Sequence, residues 1–423
     1  MIVKEIIKEH DVIPNLGRIK PLERCADYPD GFVLNPLADP YDQKFFFKWE
    51  TKNGVLCYKA SHVIGAQRIE NNELIIQPGI DNLDFIKMFG VCLLSDISPE
   101  SFAKIYSIDL DEKPLQTKTT ISSSLTPLLI VHFLMLMKQI TARGLRRDYI
   151  NRNENLKKVK GRIDTRNNER KNVFLKRFDR VYCDYSELSF NIPENRLFKK
   201  TLKICKCYIN SMESHELYSE LSNRINHYLA VFEGVDDNIE IQEIRNAKSS
   251  SLYRGYDNAV KLALQILKRL DYSIIDIKEA NMGTPIFWVD MALLFEHYVY
   301  GLLFKAYGQN IKYQDSGLFK WRPDFLHIGE RIIIDTKYIP EGKSRKNGDI
   351  IRQLSGYSRV KSFVETLGED TNSVVPCLIL YPVLNRNINL YRFDTSKKLL
   401  DQAKPMDGLI EFYEMGVPLP VLK

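Results

Sequence analysis

At 423 residues the chain exceeds what one hydrophobic core usually organises, so two or three domains are expected, and 44% hydrophobic with 11% aromatic residues is enough to bury them. Sixty basic against 54 acidic residues leave a formal +6, a mild lean toward an anionic partner. Scattered cysteines without a CxxC pair argue against a disulfide scaffold or a zinc site, the charged N-terminus MIVKEIIKEHD lacks the apolar core of a signal peptide, and the most apolar stretch, Leu125 to Met137, is too short to span a bilayer; a soluble cytoplasmic protein with no membrane association is expected.

Residues 1–120 alternate short β-like runs with turn residues: FVLNPLADP, KFFFKWETKNGVLCYKA and NELIIQPGI. Lys52-Asn53-Gly54 between two apolar runs signals a hairpin, so a β-rich N-terminal domain is expected. Near Ser122 the texture changes to a long apolar helix with Pro127 close to its start and Gly144 close to its end. Further helical runs at 195–232 and 258–270 make 121–280 a mainly helical middle region. From 281 to 423 helices and strands alternate, WVDMALLFEHYVYGLL reading as a helix and VVPCLILYPV as a buried strand, the pattern of a small α/β domain. The fold class expected is thus α+β and multidomain.

The chemistry concentrates in KWRPDFLHIGERIIIDTKYI, residues 320–339. It reads as two strands around Gly329-Glu330; with Gly329 in the positive-φ first position of the turn, Ile328 pairs with Arg331 and the register sets Asp324 opposite Asp335. Side chains alternate with period two, so Asp335 and Lys337 share a face while Thr336 points away. Cross-strand neighbours lie ~5 Å apart, which brings two carboxylates and one ammonium into a small volume. Like charges at that spacing repel unless a cation neutralises them, and Mg²⁺, with Mn²⁺ as a substitute, suits oxygen ligands beside a phosphate. The set fits the PD-(D/E)xK pattern of metal-dependent endonucleases, with Lys337 orienting water and stabilising developing charge. P-D and D-x-K also arise by chance, but here they fall on a hairpin whose Ile332 to Ile334 run would hold a site rigid.

Flanking residues extend the candidate set. Glu296 lies on a helix whose Leu294, Val299 and Leu303 suit a core, and it is either a further carboxylate aimed at the hairpin or a solvated helix residue. Gln353 and Tyr357 stand at i and i+4 on one helical face, placed to position a phosphate or water, or simply part of an amphipathic helix. Between Arg143 and Arg180, 14 Lys or Arg face five acidic residues, a local excess larger than that of the whole chain. This segment could track a phosphate backbone through Arg146, Arg147, Lys157, Lys158, Lys160 and Arg162, or form a solvated or partner-facing surface. Gly342-Lys343-Ser344 imitates the end of a phosphate-binding loop, but Lys337 stands where its first glycine is required, so no nucleotide site is expected in this chain.

With these residues in view, the chain resembles the McrC family, the nuclease subunits of McrBC-type restriction systems. The resemblance rests on GLRRDYINRNENLKKVKGRID at 144–164, YSELSFNIPENRLFKKTLK at 185–203, Phe295-Glu296, PDF at 323–325, DTK at 335–337 and QLSGY at 353–357, in that order. It implies a subunit that joins a GTP-hydrolysing AAA+ motor, stimulates its GTP hydrolysis through an N-terminal part, and cuts double-stranded DNA only when the motor brings it. It also implies that Asp324 and Asp335, with Glu296 beside them, hold the metal, that Lys337 is the catalytic lysine, and that Gln353 supports them. The alternatives are a standalone repair or recombination nuclease using the same fold and a non-catalytic adaptor of a DNA motor.

Overall fold

The computed structural model describes residues 4–9, 12–14, 33–34, 47–52, 55–69, 72–109, 115, 122–211, 216–239, 255–270, 286–313, 322–339, 348–369, 373–385, 388 and 390–421. The described elements are helices and strands in mixed order, with four sheets. Contacts divide the chain into two compact units, Met1–His132 with Ile277–Lys423, and Phe133–Asp276. The first and last thirds, read from sequence as separate domains, thus fall in one unit.

The first unit holds three sheets. In one, β2 (Val12–Pro14), β3 (Val33–Leu34), β4 (Phe47–Lys52) and β5 (Val55–Ala60) run in the order β2-β5-β4-β3. Lys52 pairs with Val55 as the expected hairpin requires, although Asn53 and Gly54 lie outside the described residues. A second sheet combines β1 (Lys4–Lys8), β6 (Val63–Ile69), β7 (Asn72–Gln77) and β8 (Tyr106–Asp109) with β12 (Ile286–Asp290), in the order β1-β7-β6-β12-β8. Trp288 to Asp290, read as the start of a helix, therefore close a strand. The helix Met291–Tyr307 begins behind them because the Asp290 carboxylate accepts from Leu293 N at 3.0 Å, an N-cap that ends one element and opens the next.

The third sheet carries the hairpin. It contains β13 (Ile311–Tyr313), β14 (Phe325–His327), β15 (Ile332–Thr336), β16 (Cys377–Leu384), β17 (Lys404–Pro405) and β18 (Phe412–Leu419), ordered β13-β14-β15-β16-β18-β17. β15, β16 and β18 run parallel, and their apolar runs are buried as parallel strands covered on both faces require. One face, with Ile333 and Ile379, packs against Leu354 and Tyr357 of the helix Gly348–Tyr357 and Phe363 and Val364 of Lys361–Thr366. On the other, Phe325 stacks with Tyr300 of the Met291–Tyr307 helix at 5.7 Å and meets Tyr313 at 6.0 Å.

The second unit is less helical than its composition suggests. Its helices Pro193–Asn210, Glu216–Val231 and Tyr256–Leu270 surround a core in which Phe198 meets Phe133 and Tyr256 at 6.0 and 5.2 Å. The basic segment, however, forms β9 (Asp148–Leu156), β10 (Arg162–Ile163) and β11 (Val181–Ser189), an antiparallel sheet ordered β10-β11-β9. These strands escape a hydrophobic-period reading because Cys183 alone among their residues is buried and they carry Asn, Asp, Glu and Arg. Among the described residues no helix is long and apolar enough to cross a membrane.

Candidate active site

The hairpin register is the expected one. Phe325 pairs with Ile334, Leu326 with Ile333 and His327 with Ile332, so Asp324 stands opposite Asp335 one step beyond the ladder. The turn differs. It spans residues 328–331, and the left-handed residue is Arg331 at φ 59°, whereas Gly329 keeps an ordinary φ. The His327 ring explains the change: its Nδ1 accepts from Glu330 N at 3.2 Å, holding a tight first bend that leaves the reversal of handedness to Arg331. Ile328 N donates instead to Asn310 O, and the expected Ile328 to Arg331 pair does not form.

Period two now sorts the site onto the two faces of the sheet. Ile333, Asp335 and Lys337 share the face covered by the Gly348–Tyr357 helix. Asp335 is 1% exposed and ion-paired with Lys337, whose side chain remains 23% exposed and reachable. Burial above all, then the charge of Asp324, pushes the Asp335 carboxyl well above the usual carboxylate range, against the pull of Lys337. Burial opposes the charge on Lys337, but Asp335 and then Asp324 outweigh it and raise its ammonium. Two carboxylates that would repel in a dry site are thus held together by one cation.

Tyr357 belongs to the same electrostatic cluster. Burial raises its hydroxyl, Gln353 Nε2 donates to that oxygen at 2.7 Å, and the charges of Asp335, Lys337 and Asp324 all reach it. Gln353 itself is exposed, so its amide borders the cluster from solvent.

Thr336 occupies the opposite face, as alternation requires, yet it is the residue that fixes Asp324. Its backbone N and its Oγ1 both donate to Asp324 Oδ2, at 2.7 and 2.6 Å. The reading that Thr336 simply points away missed this, because a side chain at the end of the ladder can reach a partner that lies beyond it. Glu296 lies toward this second face. It accepts from the Tyr313 hydroxyl, which burial, Glu296 and, more weakly, Asp324 push up. The structure therefore joins Glu296 to the cluster through Tyr313 and does not bring it beside Asp335. Among the described residues no group of three or more His, Cys, Asp or Glu side chains stands at metal-holding spacing. The donor set that does converge is Asp324 with Asp335, two oxygen ligands of the kind a hard divalent cation takes.

The basic candidates lie in the second unit and are unequal. Arg146 is buried and ion-paired with Glu194 and Asp148, each at 3.0 Å, so its guanidinium is a structural clamp rather than a solvent-facing cation. Arg147 lies over the Phe190 ring at 4.0 Å, and Lys160 over Tyr185 at 4.0 Å. Lys157, Lys158 and Arg162 are exposed.

Sheet order and hairpin define a mixed α/β chain with an acid, acid, lysine cluster at a strand end. The family model described as McrBC 5-methylcytosine restriction system component matches residues 58–358, more than half of the chain, and the chain belongs to that family. Among solved structures, the chain is similar to a refined half-complex from a tetradecameric assembly of Thermococcus gammatolerans McrB AAA+ hexamers with bound McrC, at 14% identity, a TM-score of 0.38 and coverage of 98% of this chain and 94% of that one. It is also similar to the cryo-EM structure of the Thermococcus gammatolerans McrBC complex, at 16% identity, a TM-score of 0.31 and coverage of 72% and 88%. No curated protein matches the chain.

Proposed function

We propose that the chain is the McrC-type subunit of an McrBC restriction system, a PD-(D/E)xK endonuclease that hydrolyses phosphodiester bonds in double-stranded DNA. The observation that carries the reading is the pairing of buried Asp335 with Lys337 beside Asp324, in a chain whose family is that of McrBC restriction components. In this reading Asp324 and Asp335 would hold Mg²⁺ and Glu296, through Tyr313, supports them; Thr336 fixes the rotamer of Asp324. Such a cation, when bound, would supply a water of lowered pKa and would polarise the phosphate. Lys337, ion-paired with Asp335, orients the attacking water and stabilises negative charge developing on the phosphoryl oxygens. Gln353 and Tyr357 border this volume and position the phosphate or the water. An AAA+ GTPase of the McrB type is the proposed partner, stimulated by this chain and delivering DNA to it; the exposed cations of the second unit, Lys157, Lys158 and Arg162, add phosphate contacts.

The test is single-turnover cleavage of duplex DNA with the motor subunit, GTP and Mg²⁺. Asp335→Asn and Lys337→Met each lower the rate by more than about a hundredfold while the complex with the motor still assembles. Undiminished cutting by both variants removes the assignment.

A further inference from the structure

The residue after Lys337 is tied to the far N-terminus of the chain. Tyr338 donates its hydroxyl to Glu9 Oε1 at 2.6 Å, across 329 positions of sequence. The same Oε1 accepts from Gly79 N at 2.7 Å, and Glu9 N donates to Gln77 O at 2.8 Å, extending the parallel β1 to β7 ladder by one step. Glu9 is 6% exposed, and its Oε2 has no hydrogen-bond partner among the described residues. Gly79 is where the backbone must come close, since a Cβ there would stand 3.2 Å from Glu9 Oε1. A buried carboxyl is a costly way to fill space, and this one meets a tyrosine at a defined place in the candidate site.

That place is where the active strand loses its own support. β15 ends at Thr336; Lys337 N still donates to Leu380 O at 2.8 Å, but Ile339 N turns back to Lys337 O at 2.9 Å, a three-residue turn centred on Tyr338. Such turns hold the backbone weakly, and Lys337 must keep its ammonium over Asp335. The Phe295 ring, 6.0 Å from that of Tyr338, supplies apolar contact without fixing direction. The hydroxyl bonded to Glu9 does fix it.

We infer that Glu9 is a positioning residue for Lys337: through the Tyr338 hydroxyl it pins the end of the strand that carries Asp335 and Lys337, so the docking of the N-terminal strand β1 sets the geometry of the nuclease centre. The inference rests on the nuclease reading for its consequence and on geometry alone for the anchor. It makes β1 a part of the site without placing any of its atoms on the substrate.

Two measurements on the full chain decide it. The first is amide hydrogen exchange in the peptide spanning residues 335–339, which needs no activity. Glu9→Ala and Tyr338→Phe speed exchange there about tenfold while β16 stays as protected as in the parent, and Glu9→Gln, which keeps an acceptor oxygen in place, stays within about twofold. The second is single-turnover cleavage with motor, GTP and Mg²⁺. Glu9→Ala and Tyr338→Phe lose about tenfold in rate at saturating Mg²⁺ with the Mg²⁺ concentration for half-maximal rate unchanged, and Glu9→Gln restores the parent rate. Exchange and rate within twofold of the parent for Ala overturn the inference, as does a Gln variant as impaired as Ala. A parent chain that does not cut, with Asp335→Asn no different from it, refutes the nuclease reading while the exchange data still decide the anchor.

Discussion

The β13 to β18 sheet of the first unit and the β9 to β11 sheet of the second are stabilised by opposite means. In the former, Ile332, Ile333 and Ile334 are fully buried between helices on both faces, and the polar residues buried on its strands are Asp335 and Thr336 of the candidate site and His327 at the turn. In the latter, Cys183 is the one fully buried strand residue, and the interior is a polar network: Asn172 exchanges hydrogen bonds with Asn155 at 2.8 and 2.9 Å and donates to Asn168 at 2.8 Å, whose amide oxygen in turn accepts from Tyr182 N at 3.0 Å. At its base Arg146 N donates to the Tyr256 hydroxyl, which donates to Asn195 Oδ1, while Asn195 Nδ2 returns to Arg146 O. An apolar frame suits a site that must hold like charges together in low dielectric. A polar frame leaves apolar side chains outside, and Phe174, Leu175 and Phe178 are exposed beside Lys176 and Arg177. An apolar frame and a polar one are thus separated between the two sheets.

The contrast is tested most strongly at Ile333. Truncation to Ala in a fully buried position flanked by Leu326, Cys377 and Ile379 costs ~2–5 kcal/mol, read from urea unfolding with loss of exchange protection in β15 and β16. A cost below ~1 kcal/mol would mean that this sheet is not held by its core.

Next in size is a pH effect at Glu9. Burial pushes its carboxyl from 4.5 up to about 7, against the hydrogen bonds of Tyr338 and Gly79. The folded value lies above the unfolded one, so this contribution to stability is complete below pH 4.5 and is lost as pH rises through about 7. Glu9→Gln removes that loss: the variant is more stable than the parent by up to ~3 kcal/mol near pH 8 and equal to it near pH 4. His297, which burial pushes down to about 4, acts in the other direction, losing stability as pH falls below 6.5; it is common to both chains and drops out of the difference. Parallel stability curves for parent and variant across this range refute the buried, proton-holding Glu9.

The same contrast explains what was legible in the sequence. The hairpin register was readable because Ile332 to Ile334 and the short turn fix pairing locally, and Asp324 opposite Asp335 followed by counting. The Gln353 and Tyr357 pairing was readable because it is a helical i, i+4 contact. Glu9 was not, since a contact 329 positions apart leaves no periodic trace. Nor was the union of β12 with β6 and β8, which needs strand partners drawn from both ends of the chain. The handedness at Arg331 depended on the His327 ring, and the burial of Arg146 on Glu194, 48 positions away. The β9 to β11 sheet, inside the region read as mainly helical, left no periodic trace because hydrophobic period reports only strands that bury apolar side chains, and on these strands Cys183 alone is buried.

Asn172 tests the polar frame directly. It is 2% exposed and makes three side-chain hydrogen bonds, so Asn172→Ala leaves Asn155 and Asn168 partly unsatisfied and costs ~1–3 kcal/mol. The loss should be local: faster amide exchange across residues 150–185, with β15 and β16 unchanged. Equal loosening of both sheets would show that the two are not separately stabilised.

The smallest effect is expected where the largest side chain is exposed. Phe174 and Phe178 are 79% and 77% exposed, so little apolar surface of either is removed from water on folding. Phe174→Ser and Phe178→Ser therefore change stability by less than ~0.5 kcal/mol in thermal or urea unfolding of the isolated chain. The opposite outcome would be informative. A loss of more than ~1.5 kcal/mol would mean that these rings are covered in solution, by another segment or a second copy, and that the second unit has an apolar core after all. If both variants keep the parent stability, the rings add nothing to the fold, and an apolar pair set among four cations, Arg170, Lys171, Lys176 and Arg177, is left as surface whose cost in water is offset only when something else covers it.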